Sequence, residues 1–191
     1  MTWLVVGLGN PGDQYAATRH NVGQMVINEL VRRNTIKLSS HKSRTEIAAY
    51  KLGNGENTQS VILAKSKGYM NESGGPLKAL AKFYSVETQN IIALHDELDI
   101  PFAAIRTKMG GGDSGHNGLK SLTSAFNTAE YYRIRLGIGR PTGGQDPADF
   151  VLKQFSKIEQ KDLAEFIMRG GDVVESLITQ GLEQTQSDFN S

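Results

Sequence analysis

Cysteine is absent from this chain of 191 residues, and aromatic residues are few: one tryptophan, six tyrosines and seven phenylalanines. Without cysteine there is no disulfide framework, no thiolate nucleophile and no cysteine zinc site, as is usual in a reducing compartment. No apolar run approaches the roughly 18 residues that a membrane span needs, and no basic segment precedes an apolar run at the N-terminus. A cytoplasmic protein that contacts no membrane is therefore expected.

The net charge of +1 hides an uneven distribution of charged residues. Residues 101–140 carry six basic and two acidic side chains, a net charge of +4, whereas residues 157–191 carry three basic and seven acidic ones. The basic segment contains Arg106, Lys108, Lys120, Arg133, Arg135 and Arg140. It could contact a polyanion such as nucleic acid, or simply be a solvated surface. Composition alone leaves both interpretations open.

Short apolar runs alternate with stretches of helical periodicity, which predicts one α/β domain over residues 1–191. A twisted, mixed and mostly parallel sheet surrounded by helices is expected, with residues 183–191 as a loose acidic tail. Strands are predicted at residues 2–7, 45–52, 60–65, 90–95, 103–108 and 132–138, and helices at residues 22–33, 76–84, from about 117, and from a capping box at 156–159. The glycine-rich residues 110–115 between two of these elements are expected to be mobile.

Three familiar motifs can be weighed against this fold. G-L-G-N-P-G at residues 7–12 matches a dinucleotide-binding fingerprint, but no helix starts there and no acidic residue follows the next strand, so only an NADP-dependent oxidoreductase remains as an alternative. G-D-S-G at residues 112–115 looks like a serine-protease loop, with His41 and Asp96 as partners, yet those proteases are all-β. A metal site at His95, Asp96, Glu97 and Asp99 is disfavoured because neighbouring strand residues point in different directions.

A histidine acting as a general base explains the polar residues at the strand ends better. Asn10 and Asp96 each follow a predicted strand, at the edge where open α/β sheets bind ligands, and His20 lies in the loop after the first strand. If folding brings them together, Asp96 can hold one imidazole nitrogen while the other deprotonates a water molecule. Such a pair is sufficient for an activated ester, whereas amides generally require a metal or a nucleophile as well. Ester hydrolysis is therefore favoured.

Five motifs, in order along nearly the whole chain, make the sequence resemble the bacterial-type peptidyl-tRNA hydrolases. They are V-G-L-G-N-P-G at residues 6–12, Y-A-A-T-R-H-N-V-G at 15–23, Y-M-N-E-S-G at 69–74, H-D-E-L-D at 95–99, and G-G-G at 110–112 followed by G-H-N-G-L-K at 115–120. The resemblance implies a monomeric α/β enzyme without metal or other cofactor. It also implies hydrolysis of the ester between a peptide and the 3′ end of tRNA, and so peptidyl-tRNA as the partner.

The resemblance also implies roles for individual residues. His20 matches the catalytic base, Asp96 the carboxylate that orients it, and Asn10 the residue that distinguishes blocked from free aminoacyl ends. The residues matching contacts to the 3′ end and the peptide are Tyr15, Tyr69, Asn71 and Asn117, with Met70 and His116 beside them. Arg106 and Lys108 lie where relatives carry bases that hold tRNA phosphates, which implies contacts with the acceptor stem.

Two departures from the family pattern limit this comparison. K-S-K-G at residues 65–68 replaces a run in which relatives commonly have proline and threonine, and Asn28 stands where an acidic residue is usual. A looser position for Asn71 is therefore expected, while His20 and Asp96 are unaffected. A catalytically inactive RNA-binding module that uses the basic segment remains an alternative function.

Overall fold

The computed structural model describes residues 1–190, whose strands form a single seven-stranded sheet. The strands are β1 (Thr2–Gly7), β2 (Ser39–His41), β3 (Thr45–Leu52), β4 (Gln59–Ser66), β5 (Ile91–Glu97), β6 (Ile105–Met109) and β7 (Tyr132–Gly137). Their order across the sheet is β2-β3-β4-β1-β5-β7-β6. The helices are α1 (Val22–Arg33), α2 (Gly74–Phe83), α3 (Asn117–Phe126), α4 (Pro147–Val151), α5 (Lys157–Gln180) and α6 (Leu182–Phe189).

The four central strands run parallel, and the strands at both edges run antiparallel to their neighbours. β1 pairs in parallel with β4 and β5, and β5 pairs in parallel with β7. β3 and β6 pair with β4 and β7 in the antiparallel sense, and β2 extends the first edge. The prediction of a mixed, mostly parallel α/β sheet is confirmed. The one strand that sequence analysis did not predict is β2, which has only three residues.

Each face of the sheet carries its own hydrophobic core. One core lies beneath α1, α4 and α5 and contains even-numbered residues of β5 and β7, such as Leu94 and Ile134. The other lies beneath α2 and α3 and contains odd-numbered residues, such as Ala93 and Tyr131. Because side chains alternate along a strand, this parity tells which face every residue of β5 and β7 occupies.

Gly7 at the end of β1 and Gly23 in α1 allow the helix to pack closely on the sheet. A Cβ atom added at Gly23, the second residue of α1, would lie 2.3 Å from the carbonyl oxygen of Leu94. A Cβ atom at Gly7 would lie 2.6 Å from the carbonyl oxygen of Gly23. These contacts bring α1 directly onto the ends of β1 and β5, so residues at the start of α1 lie close to residues at the end of β5. Gly7, the first glycine of the match to a nucleotide-binding fingerprint, thus has a packing explanation.

The start of α5 confirms the predicted capping box. The Glu159 backbone N–H donates to Ser156 Oγ (3.2 Å), and the Ser156 backbone N–H donates to Glu159 Oε1 (2.9 Å). Later in the same helix, a Cβ atom at Gly170 would lie 2.7 Å from Val26 Cγ2 of α1. Gly170 therefore permits α5 to pack closely against α1.

The expectation of a loose acidic tail is wrong for residues 183–190. Residues 182–189 form α6, and Thr185 of this helix is completely buried, with its Oγ1 atom 2.8 Å from Ser176 Oγ. Gln186 Nε2 donates to the carbonyl oxygen of Thr107 (3.0 Å), and the Thr107 backbone N–H donates to Asn190 Oδ1 (2.9 Å). Since β6 is an edge strand, these bonds satisfy backbone groups that would otherwise lack partners.

Of the helices in residues 1–190, none combines the length and the apolar character required to cross a membrane.

Candidate active site

A cavity of about 550 Å³ opens beside the carboxyl ends of the central strands. Most of the residues singled out in the sequence line it: Asn10, His20, Tyr69, Met70, Asn71, Asp96, His116 and Asn117. They come from four separate parts of the chain. The parallel order of β4, β1 and β5 brings three of these parts to one edge of the sheet, and the loop between β6 and α3 brings the fourth, which carries His116 and Asn117. The remaining walls include Glu97, Leu98, Ser114, Gly115, Arg140, Pro147, Ala148, Val151 and Leu152.

His20 and Asp96 form a hydrogen-bonded pair, although 76 positions separate them in the chain. His20 Nδ1 lies 3.0 Å from Asp96 Oδ1 and 2.9 Å from Asp96 Oδ2. Both residues are buried. No hydrogen bond to His20 Nε2 is present in residues 1–190, and the ring borders the cavity. The second imidazole nitrogen can therefore meet a water molecule there.

Arg19 anchors the short segment that carries His20. Its Nη2 atom pairs with Glu159 Oε1 (2.8 Å), the carboxylate of the α5 capping box, and its Nη1 atom donates to the carbonyl oxygen of Phe150 (3.3 Å). The guanidinium also lies 3.9 Å from the centre of the Phe150 ring. These contacts fix residues 19–21, the one-turn 3₁₀ helix just before α1, so that the His20 side chain is directed toward β5.

His116 occupies the other side of Asp96. Its Nε2 atom lies 2.8 Å from Asp96 Oδ1, and its Nδ1 atom accepts hydrogen bonds from the backbone N–H groups of Gly118 (3.1 Å) and Leu119 (3.3 Å). A nitrogen that accepts two N–H bonds carries no proton, so the proton must be on Nε2, where it is donated to Asp96. The imidazole thus serves as the N-cap of α3 and as a donor to the buried carboxylate.

The electrostatics of the site favour an ionised Asp96. Burial opposes its charge, but His20 and His116 together lower the pKa of Asp96 well below its usual range. Burial also opposes a charged His20, yet the negative charge and the hydrogen bond of Asp96 outweigh burial and raise the pKa of His20 above 6.5. His95 differs from both, because complete burial and the nearby His116 lower its pKa to about 3. His95 is neutral and donates from Nδ1 to the Asp96 carbonyl oxygen (2.8 Å).

Asn10 is held by bonds that determine how its amide group is oriented. The backbone N–H of Met70 donates to Asn10 Oδ1 (2.8 Å), which leaves the NH₂ group as the end available to a ligand. The Asn21 side chain bonds the Asn10 backbone twice, accepting from its N–H (2.9 Å) and donating to its carbonyl oxygen (2.9 Å). Asn21 lies at the N-cap position of α1, but its side chain bonds the Asn10 backbone instead of capping the helix.

The segment that carries Tyr69, Met70 and Asn71 is well fixed. Ser73 Oγ donates to the Met70 carbonyl oxygen (2.8 Å), and the Gly74 backbone N–H donates to Ser121 Oγ of α3 (2.8 Å). Asn71 and Asn117 are both exposed and line the same cavity. The looser position expected for Asn71 finds no support in the hydrogen bonds of this segment.

Two predicted contact residues lie differently from the rest. Tyr15 is not part of the cavity wall, but its ring makes an edge contact with that of Tyr69, whose exposed fraction is 51% (ring centres 6.4 Å apart). Tyr15 can therefore support Tyr69 at the cavity entrance. Met70 is buried, and its sulfur packs beneath the start of α3, where a Cβ atom added at Gly118 would lie 2.5 Å away.

Arg106 and Lys108 lie outside the cavity, on β6. They pair across the sheet with Arg135 and Arg133 of β7, so all four cations share one face. Burial and the neighbouring charges of Arg135 and Arg133 lower the pKa of Lys108, as expected where cations are concentrated. Arg133 is completely buried, so it does not belong to the surface that a polyanion could contact.

Two alternative chemistries can be compared with this geometry. His20, Asp96 and His116 bring one ligand atom each within 4.8 Å of one another, a cluster that differs from the metal candidate in the sequence. In the observed arrangement both imidazole nitrogens that face Asp96 act as hydrogen-bond donors, so their lone pairs are not available to a metal. The protease-like set does not assemble, because His41 instead bonds Ser43 (2.9 Å) and contacts the Phe83 ring.

Some lining residues were not anticipated as parts of a site. The apolar wall from α4, with Val151 and Leu152, has no motif that sequence analysis could recognise. Glu97 was considered only as a metal ligand and Arg140 only as part of the basic segment. Arg140 forms an ion pair with Asp99 at the cavity rim (2.7 Å).

Together, the fold and the site are those of an α/β enzyme with a histidine–aspartate pair at the carboxyl edge of its sheet. The sequence profile of the peptidyl-tRNA hydrolases matches residues 4–191. Peptidyl-tRNA hydrolases from Kineococcus radiotolerans and Streptomyces coelicolor are 48% and 50% identical to the chain, each over 99% of it and over 97% and 95% of the relative. The crystal structure of peptidyl-tRNA hydrolase from Acinetobacter baumannii superposes with a TM-score of 0.88 at 33% identity, covering 100% of this chain and 95% of the other. The chain belongs to the peptidyl-tRNA hydrolase family.

Proposed function

We propose that this enzyme hydrolyses the ester between a peptide and the 3′ end of tRNA, with His20 as the general base and Asp96 as its orienting carboxylate. The observation that carries the proposal is the pair of short contacts from His20 Nδ1 to Asp96, which leaves Nε2 facing the cavity. The family relationship supports the substrate, since the similar proteins carry the name peptidyl-tRNA hydrolase.

In the proposed reaction the two nitrogens of His20 have different roles: Nδ1 bonds Asp96, and Nε2 takes and returns a proton. Water bonded to His20 Nε2 gives up a proton to it while its oxygen adds to the ester carbonyl carbon. The tetrahedral intermediate then expels the ribose 3′ oxygen, which takes the proton back from Nε2. Free tRNA and a peptide with a new carboxyl group leave the site. Asp96 stabilises the transient imidazolium through the same contacts that raise the pKa of His20.

Neutral amide groups are suited to stabilise the negative oxygen of the intermediate. Asn71 and Asn117 project from different elements into the same cavity as His20. Each side chain has an NH₂ donor that carries no formal charge, so it can bond a carbonyl oxygen whose charge increases during the reaction. We assign them to polarisation of the ester carbonyl and to contacts with the peptide.

Discrimination against free aminoacyl ends is assigned to Asn10. Glu97 is a carboxylate that also lines the cavity. The charge of Glu97 already interacts with Lys108, Arg135 and Arg140. Asn10 offers an N–H donor because its oxygen is engaged by Met70, and such a donor binds a peptide carbonyl but opposes an ammonium group.

The tRNA is expected to lie across the cavity entrance. Tyr69, supported by Tyr15, can stack the terminal adenine, an interaction of about 1–3 kcal/mol. Arg106 and Lys108 can bind acceptor-stem phosphates without reading the base sequence. A monomeric state, a cytoplasmic location and the absence of a cofactor or metal remain predictions from the sequence.

The proposed function can be tested by comparing release from N-acetyl-aminoacyl-tRNA with release from the unblocked aminoacyl-tRNA. The wild type should cleave the blocked ester strongly in preference to the free one. His20→Ala should lower kcat by about 10²–10⁴, the usual contribution of a general base. The matched control is His41→Ala, a histidine bonded to Ser43 outside the cavity, which should keep wild-type turnover.

Three results would contradict the proposal. Unchanged turnover in His20→Ala would remove His20 as the base. Salt-sensitive tRNA binding by the wild type without any ester cleavage would instead support the inactive RNA-binding module. Saturable binding of a nicotinamide dinucleotide would support the oxidoreductase alternative.

A further inference from the structure

The glycine-rich loop between β6 and α3 runs along β7 on one face of the sheet. β6 ends at Met109, which pairs with Tyr132 at the beginning of β7. α3 begins beside His116, whose side chain reaches Asp96 near the carboxyl end of β5. Residues 110–116 must therefore run along β7 from the amino edge of the sheet to the cavity, where Ser114 and Gly115 form part of the wall.

Side-chain packing contributes little to holding this loop. Gly111 and Gly112 are exposed, and a Cβ atom built at Gly112 or Gly115 would meet no atom within 4 Å. Gly111 has a φ angle of +107°, which is accessible essentially only to glycine. Asp113 orders the end of the loop by accepting hydrogen bonds from the backbone N–H groups of Gly115 (3.0 Å) and His116 (2.8 Å). Residues 111–112 have no such bond within the loop, so contacts from outside the loop must fix their conformation.

The group that contacts the loop from beneath is Arg133 of β7. Its Nη2 atom donates to the carbonyl oxygen of Gly111 (2.7 Å), and its Nη1 atom donates to that of Gly112. The guanidinium lies over the ring of Tyr131 (4.7 Å), whose hydroxyl group in turn contacts Thr123 of α3 (3.0 Å). One arginine thus links β7, the loop and, through Tyr131, the helix that follows the loop.

Arg133 is also a buried charge without a carboxylate partner. It is completely buried, and within the part of the chain that the structure describes no acidic oxygen forms an ion pair with it. A buried guanidinium requires strong acceptors, and the acceptors here are the two loop carbonyls. The loop and the arginine therefore depend on each other: disordering residues 111–112 would leave the charge without its acceptors.

We propose that Arg133 is a positioning residue, which holds the glycine-rich loop in place and thereby sets the cavity wall formed by Ser114 and Gly115. This inference rests on the proposed hydrolysis of peptidyl-tRNA and adds a residue that never touches the substrate. In this proposal Arg133 does not contact a polyanion, which was one interpretation of the basic segment. Residues 111–112 are held in place instead of being mobile. Substrate binding depends on the loop, whereas the base and its carboxylate lie on other elements.

The test measures amide hydrogen exchange and steady-state kinetics on Arg133→Lys and Arg133→Ala. A lysine keeps the charge but has a single ammonium group, which cannot donate to both carbonyls in the geometry of the planar guanidinium. We expect exchange at residues 111–115 to be at least about tenfold faster than in the wild type, with α5 unchanged. KM for the blocked aminoacyl-tRNA should rise about tenfold, while kcat changes less than about threefold.

Ethylguanidinium added to Arg133→Ala should restore part of kcat/KM, whereas ethylammonium should not. Arg169→Met is the control, because Arg169 also donates to a loop carbonyl, that of Ala103 (3.1 Å), but on the opposite face. It should leave both exchange at residues 111–115 and KM unchanged.

Each other outcome overturns the inference. Wild-type exchange and KM in Arg133→Lys would show that the loop does not need the guanidinium. Faster exchange throughout the protein would indicate a general structural role. Loop exchange is independent of catalysis, so failure of the proposed function, seen as full activity in His20→Ala, remains distinguishable from failure of this inference.

Discussion

Replacing Asp96 by asparagine tests the proposed mechanism most directly. The carboxylate accepts hydrogen bonds from His20 Nδ1 and from His116 Nε2. An asparagine has one oxygen acceptor and an NH₂ donor, so it cannot accept from both imidazoles through equivalent oxygens. His116 keeps its proton on Nε2, because its Nδ1 atom accepts hydrogen bonds from the first turn of α3. His20 is then the ring that must change tautomer, which moves its proton to Nε2 and blocks the base.

The expected loss in kcat is about 10²–10⁴, or about 3 to 5 kcal/mol of transition-state stabilisation. The pH profile should change as well, in a direction that the site determines. In the wild type, Asp96 raises the pKa of His20 above 6.5, and activity requires the neutral ring, so kcat/KM should fall as the pH drops through that raised pKa. In Asp96→Asn, no carboxylate offsets the effect of burial, which lowers the pKa of His20. The acidic limb of the pH profile should therefore move to lower pH, and the maximal kcat/KM should fall.

The assay is release of N-acetyl-amino acid from tRNA between about pH 5 and pH 9, at substrate concentrations that separate kcat from kcat/KM. Asp172→Asn is the matched control. Asp172 is an exposed carboxylate of α5 that pairs with Arg33 of α1, and exposed ion pairs contribute little to stability. A plateau lowered without movement of the acidic limb, or a limb that moves to higher pH, would refute the reasoning about His20 and Asp96.

Two further predictions concern tRNA binding and helix packing. The double variant Arg106→Ala, Lys108→Ala should raise KM with little change in kcat. The slope of log K for tRNA binding against the logarithm of salt concentration should become shallower by about one for each lost phosphate contact. An equal fall in kcat would contradict this. Gly23→Ala should destabilise the fold by about 1–3 kcal/mol in urea unfolding, because its Cβ would lie 2.3 Å from the Leu94 carbonyl oxygen. Gly75→Ala, with no atom within 4 Å of the added Cβ, should stabilise it by about 0.4–1 kcal/mol.

Local patterns were enough to predict most elements of the fold. Apolar runs marked the central strands, helical periodicity marked α1, and Ser156 with Glu159 marked the start of α5. The pattern was less informative at the edges of the domain. β2 is too short to produce a periodic signal, and α6 has so few apolar residues that its sequence looked like a solvated tail. Its order comes from bonds to the edge strand β6.

By itself, the sequence also determined which residues could supply the chemistry, because a chain without cysteine offers few bases and nucleophiles. It could not determine where the protons lie. That depends on backbone N–H groups brought to His116 by α3 and on the distance of two carboxylate oxygens from His20.

The tertiary structure also decided which charged side chains are buried and which are exposed. Arg133 and Arg135 look equivalent in the sequence, two positions apart on one strand, yet Arg133 is completely buried beneath the glycine-rich loop and Arg135 is only partly buried. The burial of a residue depends on which segments fold over it. The loop that covers Arg133 is distant in sequence, so the residues next to Arg133 give no sign of it. The residue types therefore fixed the possible chemistry, and long-range packing assigned each group its protonation, its partners and its access to the substrate.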